Sequence, residues 1–266
     1  MNLIQLIITA LIQGVTEFLP VSSSAHLILV PILVNWQDQG LAIDVAAHFG
    51  TLFAVVFYLR KDVLRILIAG IDSIKNKQAE TQDSRLFWYL VIASLPTLAA
   101  GFLLREFVSV YLRNPLIIAY ASIGFGLLLG YSDVKGKRLR QIESINLRDA
   151  ILIGLAQVLA LVPGTSRSGI TITAALILGL DRKSAARFSF LMAIPILLTA
   201  GCYEALKVVT LELNIDILTF FITVLLSAVS AFLSIHFFMK FMDKIGMLPF
   251  VIYRVTLGGV LLFLFI

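Results

Sequence analysis

Two short stretches of this sequence gather polar groups where their neighbours are apolar. The first runs from Gln13 to His26 and holds Glu17, Pro20, Ser22, Ser23 and Ser24; the second runs from Pro163 to Thr171 and holds Gly164, Thr165, Ser166, Arg167, Ser168 and Gly169. A carboxylate, several hydroxyls, an imidazole and a guanidinium are the groups that hold, neutralise and attack a phosphate. In each stretch a proline followed by serine or threonine reads as a helix start whose hydroxyl can cap exposed backbone N–H groups. Such starts present free donors and the positive end of the helix dipole, and with Arg167 beside them they favour an anion, phosphate above all. Glu17 precedes the first tip by one turn, and Ser23 and His26, three apart, share a face if that arm is helical. Ser22 and Ser24 have a plainer alternative role as caps or partners of backbone carbonyls.

The elements that must position these groups belong to a membrane. Of 266 residues 59% are hydrophobic and 14% charged, with a mean hydropathy of +0.98, against about 25% charged residues in an ordinary soluble domain. Six segments, about 41 to 59, 86 to 104, 115 to 131, 184 to 206, 217 to 239 and 249 to 266, approach the roughly 20 apolar residues needed to cross a bilayer. Residues 3 to 33 and 150 to 180 do not fit that template: each has two apolar arms broken by one of the polar stretches. Arms that short suit re-entrant helical hairpins, whose irregular tips survive only when buried in protein or lining a wet cavity. The expected fold is all-α and polytopic, with six transmembrane helices plus two re-entrant hairpins. An arginine at membrane depth, as Arg167 would be, is costly without a function.

Basic residues set the orientation. Residues 60 to 85 hold six, including Lys77, 132 to 149 hold five, 181 to 187 three and 240 to 248 two, whereas the alternate loops hold only Arg105, Arg113 and Lys207. The crowded side reads as cytoplasmic, which places both termini outside. The pI of 9.4 is thereby assigned to topology, and nucleic acid is excluded as a partner. The start, Met1 to Ile4, lacks a basic n-region, so the N-terminus is expected to be retained. Cys202 has no intrachain partner and reads as a packing residue. Arg254 is expected to snorkel to the cytoplasmic edge and Arg187 to lie near an edge; His236, Glu204 and Gln157 read as structural. Asp44 and His48, four apart, read as supporting the groups that touch the phosphate or as interfacial.

The second half of the chain can be laid over the first in order. Phe18 to Ser23 matches Leu161 to Ser166, Ala46 to Ala54 matches Ala185 to Ala193, and Pro115 to Ile118 matches Pro249 to Ile252, at offsets of 143, 139 and 134. Repeats of about 1 to 131 and 150 to 266 each hold one hairpin and three spans, and an odd number of crossings inverts the second copy. Inverted repeats with broken helices meeting at the midplane are the layout of secondary transporters, so a transporter or flippase for an anionic lipid or phosphate competes with an enzyme.

At this point the sequence resembles the undecaprenyl-diphosphatases of the bacitracin-resistance type. Gln13 to His26, with its Phe-Leu-Pro-Val-Ser-Ser core, is similar to that family's first motif, and Pro163 to Gly169 matches its Pro-Gly-x-Ser-Arg-Ser-Gly motif at every fixed position. Asp44 to Gly50 and Tyr253-Arg254 resemble further family segments. Gln13 stands where a glutamate is more common and Ala25 where glycine is. The resemblance implies hydrolysis of a C55 isoprenoid diphosphate lipid to its monophosphate and inorganic phosphate at the outer face of the bacterial cytoplasmic membrane, recycling a carrier lipid for cell-wall synthesis. It implies a catalytic group of Glu17, Ser23, His26 and Arg167, phosphate contacts from Gln13, Ser22, Ser24, Ser166, Ser168 and Thr171, and a Mg²⁺ or Ca²⁺ shared between Glu17 and the substrate. The expected nucleophile is Ser23 with His26 as proton acceptor; attack by His26 or by water stays open, as does a homo-oligomer within the membrane lipid.

Overall fold

The computed structural model describes residues 3–36, 40–76, 81–211 and 216–266; Met1, Asn2 and Lys77, which entered the sequence reading, lie outside them. Among the described residues the chain is helical, with no strand and a single isolated bridge between Arg140 and Leu180. The first polar stretch separates α1 (Leu3–Phe18) from α2 (Ser23–Val34), and the second separates α7 (Leu147–Val158) from α8 (Arg167–Ile177). Both breaks fall where the prolines and serines required them.

Among the described residues six helices are long and apolar enough to cross a membrane. They are α3 (Leu41–Tyr58), α5 (Gln82–Phe107, continued by a π-helical turn to Leu112), α6 (Pro115–Lys135), α9 (Arg182–Thr210), α10 (Ile217–Ile245) and α11 (Leu248–Phe265). The protein is a multi-pass membrane protein, and leucine, isoleucine and phenylalanine side chains cover its outside, as lipid solvation allows. The stretch read as a basic loop after α3 is itself a helix, α4 (Arg60–Asn76). Its charged and apolar residues alternate with helical period, a pattern that the charge count had passed over.

The short helices pack against this frame. α1 packs on α3 and α10, α7 on α5, and α8 on α6 and α9. Small residues permit the approach: a Cβ on Gly14 would stand 1.9 Å from Ser230 Oγ, and one on Gly154 would stand 2.4 Å from the Ala93 carbonyl. Charges fasten one end of the bundle. Asp149 closes a capping box with Asn146 and receives Arg140 at 3.2 and 2.5 Å, while Arg140 also donates to Leu178 O at 2.9 Å. The start of α7 and the end of α8 are thereby tied together, and Asp149 raises the pKa of Arg140 above its ordinary value. Asp133 does the same for α6, α9 and α11, accepting from Arg182 at 2.6 and 2.8 Å and from Met247 N at 3.0 Å. Arg187 pairs with Asp62 on α4 at 2.5 Å.

Two expectations need correction. Cys202 is exposed on α9 rather than packed. Arg254 does not snorkel: it is fully buried and its guanidinium turns inward onto backbone carbonyls of both breaks. No apolar residue could satisfy those carbonyls, and the stem has room because Gly126 faces it.

Candidate active site

Both helix starts use the same local device. Ser22 and Ser166 each adopt a positive φ (75° and 69°) and cap the helix that follows, Ser22 Oγ accepting from Ala25 N at 3.4 Å and Ser166 Oγ from Gly169 N at 3.1 Å. Each cap hydroxyl also lies 3.2 Å from the hydroxyl two residues on, Ser24 or Ser168. The two tips touch: Gly164 N donates to Ser22 Oγ at 3.2 Å and Ser168 Oγ to Leu19 O at 2.9 Å. Ser23 and Arg167 therefore occupy the same position, the first residue of a helix, on two elements that meet.

Glu17 joins them. Its Oε2 accepts from Ser23 Oγ at 2.6 Å and from Gln13 Nε2 at 3.0 Å, and its Oε1 faces Arg167 Nη2 at 3.4 Å. Gln13 reaches it because residues four apart share a helix face. Arg167 is 11% exposed at its side chain, lies over the ring of Phe18 with 5.7 Å from Cζ to the centroid, and spends Nη1 on Ser189 O at 3.2 Å. Its Nε is buried with no partner among the described residues. A guanidinium has five donors in a planar fork, so this one keeps donors for an anion arriving beside Ser23.

His26 stands next to this cluster but is engaged elsewhere. Its Nδ1 donates to Ser22 O at 2.7 Å, and its Nε2 meets the Tyr253 hydroxyl, with the two rings stacked at 5.7 Å. The carbonyl can only accept, so Nδ1 carries a proton and a neutral imidazole uses Nε2 as the acceptor of the tyrosine O–H. Nearest to the Ser23 hydroxyl as a base is Glu17. The expected phosphate-contacting hydroxyls are also largely committed: Ser22 and Ser166 to caps, Ser168 to Leu19, and Thr171 to the carbonyls of Arg167 and Ser168 and to Ser189 Oγ at 2.7 Å. His48, on α3, donates from Nδ1 to Asp44 O at 2.7 Å, so its contact is to the Asp44 backbone. Gln157 donates to Thr97 Oγ1 at 3.1 Å, consistent with a structural role.

Sequence reasoning missed Ser189, Tyr253 as the partner of His26, and the inward turn of Arg254. Ser189 gave no signal beyond a place in the repeat match, and Tyr253-Arg254 only its family resemblance.

The residues suit a hard divalent cation. Gln13 Oε1 is buried without a donor among the described residues, and the same amide donates from Nε2 to Glu17 Oε2, so a neutral oxygen with unmet lone pairs belongs to the residue bonded to this carboxylate. Among the described residues no cluster of three His, Cys, Asp or Glu exists. A cation here would take its other ligands from substrate oxygens and water, as Mg²⁺ commonly does.

The chain is similar over its whole length to known proteins. The chain is 53% identical over 268 residues to undecaprenyl-diphosphatase 2 of Stutzerimonas stutzeri strain A1501, covering 100% of this chain and 99% of that one. It is 50% identical to undecaprenyl-diphosphatase 1 of Pseudoalteromonas translucida strain TAC 125, with 99% of each covered, and 49% identical to the undecaprenyl-diphosphatase of Nitrosococcus oceani, with 100% of each covered. Residues 6–260 match the model of the bacitracin resistance protein BacA family, and to that family this chain belongs.

Proposed function

We propose that this protein hydrolyses undecaprenyl diphosphate to undecaprenyl phosphate and inorganic phosphate. The observation that carries the reading is the contact of Glu17 with both Ser23 and Arg167, at 2.6 and 3.4 Å: a hydroxyl with a base in place, beside a buried guanidinium with donors to spare. A carrier needs the guanidinium but has no use for the activated hydroxyl. Phosphoryl transfer asks for charge neutralisation and in-line placement above all. The spare donors of Arg167 and the backbone N–H groups at the starts of α2 and α8 hold the phosphates. Ser23 Oγ attacks the terminal phosphorus and its proton passes to Glu17. The bond from phosphorus to the bridging oxygen breaks, and undecaprenyl phosphate leaves with the electron pair. Water then attacks the phosphoserine phosphorus, the bond from phosphorus to Ser23 Oγ breaks, Oγ takes back the proton held by Glu17, and inorganic phosphate departs carrying the water's oxygen and its protons. His26, held by Ser22 and Tyr253, orients the first turn of α2. A bound Mg²⁺ or Ca²⁺, held by Glu17 and Gln13 Oε1, would supply neutralisation of the diphosphate charge.

The basic residues support the remaining assignments. The two halves, about 1–131 and 150–266, are inverted repeats, α1–α2 and α7–α8 are re-entrant, both termini lie outside, and the site opens to the outer face of the bacterial inner membrane, where the lipid diphosphate is presented. The charge bias and the matching caps of Ser22 and Ser166 are the grounds for this. Rapid acid quenching with substrate labelled in its terminal phosphate tests the chemistry. Acid-stable label is expected on the wild type and none on Ser23→Ala. Label that survives Ser23→Ala, or that is stable in base and lost in acid, would transfer the attack to His26.

A further inference from the structure

Arg254 lies at the meeting point of three structural units. Its Nη2 donates to Gly164 O and Thr165 O at 2.8 Å and to Ala121 O at 3.5 Å, and its Nη1 to Pro20 O at 3.5 Å. One side chain on α11 thus binds the carbonyls of the first tip, the second tip and α6. It is fully buried, its Nε has no partner, and no carboxylate pairs with it among the described residues. A lone buried cation is expensive to keep, and bonding among helices alone would be met more cheaply by smaller neutral groups.

The direction of those carbonyls gives the charge its use. In a trans peptide the C=O and the following N–H point opposite ways. With Thr165 O drawn onto Arg254, the N–H of Ser166 points away from Arg254, and it forms no backbone hydrogen bond among the described residues. Carbonyl oxygens free to rotate toward the site would repel a phosphate; held on Arg254 they cannot. The same contact fixes how far tip one, with Ser23, stands from tip two, with Arg167.

We infer that Arg254 is a positioning residue for the reaction: it holds carbonyls of both tips away from the site, leaves the Ser166 N–H turned away from itself and open to a phosphate, and sets the spacing between Ser23 and Arg167. The inference rests on the proposed phosphatase reading. It places no substrate contact on Arg254 itself.

The test uses the full-length protein in detergent and initial rates of phosphate release from C55 diphosphate, normalised to folded protein by monodisperse elution and thermal midpoint. Lysine keeps the charge but cannot reach several carbonyls as a fork. Arg254→Lys is expected to lower kcat about tenfold and Arg254→Gln about a hundredfold, the scale on which small misplacements of reacting groups act, with KM within about threefold of wild type. Gly126→Ala is a second route: its Cβ would stand 3.1 Å from Arg254 Cβ, displacing the stem without touching the site, and a fall of severalfold in kcat alone is expected. Wild-type kcat in folded Arg254→Lys, or a loss explained wholly by the folded fraction, overturns the inference. If both Arg254 variants fail to fold, Gly126→Ala decides: an unchanged kcat overturns it and a lowered one upholds it. A wild type that releases no phosphate sinks the phosphatase reading instead.

Discussion

Replacing Arg167 by lysine keeps the positive charge and removes the fork. In the wild type the guanidinium commits one donor to Ser189 O at 3.2 Å and one to Glu17 at 3.4 Å, leaving three of five for substrate. An ammonium offers three donors from one atom, so after the same two contacts one remains, and it cannot bind two phosphate oxygens side by side. Losing one donor aimed at developing charge in a water-poor site costs about 2.7–4 kcal/mol, which at about 1.36 kcal/mol per decade is roughly 10²–10³ in rate. The retained charge returns part of this, so the expected fall in kcat for Arg167→Lys is about a hundredfold. Lysine still neutralises Glu17, whose side chain is 7% exposed, so the fold should survive; alanine would strand that carboxylate and confuse stability with chemistry. The assay is phosphate release at saturating lipid, with Arg65→Lys as control, since Arg65 is 53% exposed and pairs with Asp83. A fall of less than about threefold in folded Arg167→Lys, with the control unchanged, would refute a forked phosphate contact, in which each donor is worth about a decade or more.

The cation site makes paired expectations: Gln13→Glu adds a second carboxylate beside Glu17 and should lower the half-saturating Mg²⁺ or Ca²⁺ concentration by on the order of tenfold, whereas Glu17→Gln should raise it and depress kcat at every concentration. A metal titration in which neither variant shifts the midpoint removes the cation from Glu17. Gly154→Ala drives a methyl to 2.4 Å from the Ala93 backbone and should destabilise the α5–α7 contact by about 1–3 kcal/mol, read as a lower thermal midpoint; an unchanged midpoint means that these helices are free to separate. In a Cys202→Ala background, Arg113→Cys should react with an impermeant thiol reagent in intact cells and Lys137→Cys should not; equal labelling of both contradicts the orientation.

Much of the fold was written in plain patterns. The six long helices follow from apolar length, and the breaks at 19–22 and 159–166 follow from proline and serine. The loop assignment of 60–85 missed α4 because its charges were counted without asking for their period. Glu17, Ser23 and Arg167 were found because their chemistry is out of place among apolar neighbours. Arg254 gave the same signal, a charge within an apolar segment, yet was given the wrong direction: snorkelling and inward burial differ only in what lies beside the guanidinium, and the carbonyls of Pro20, Gly164 and Thr165 are distant in sequence. The engagement of His26 with Tyr253 was hidden for the same reason.

The two tips can also be compared by their caps. The prolines align at an offset of 143, but the caps Ser22 and Ser166, with their shared positive φ, align at 144. On that frame Gln13 falls on Gln157, and both keep a buried, donorless Oε1; Ser24 falls on Ser168, and Ser23 falls on Arg167. Ser23 and Arg167, the first residues of their helices, then fall on one another. Their difference is what a phosphatase needs: two hydroxyls would leave the diphosphate charge unmet, and two guanidiniums would hold it with nothing to attack. Glu17 has Leu161 as its counterpart, so a single carboxylate serves both, one oxygen on the hydroxyl and the other toward the guanidinium. In the proposed reaction a base on the serine-bearing half would raise the nucleophilicity of Ser23. A second acid at 161 would instead compete with the phosphates for Arg167, so the asymmetry of the two halves lies where the electrostatics of anion binding demand it.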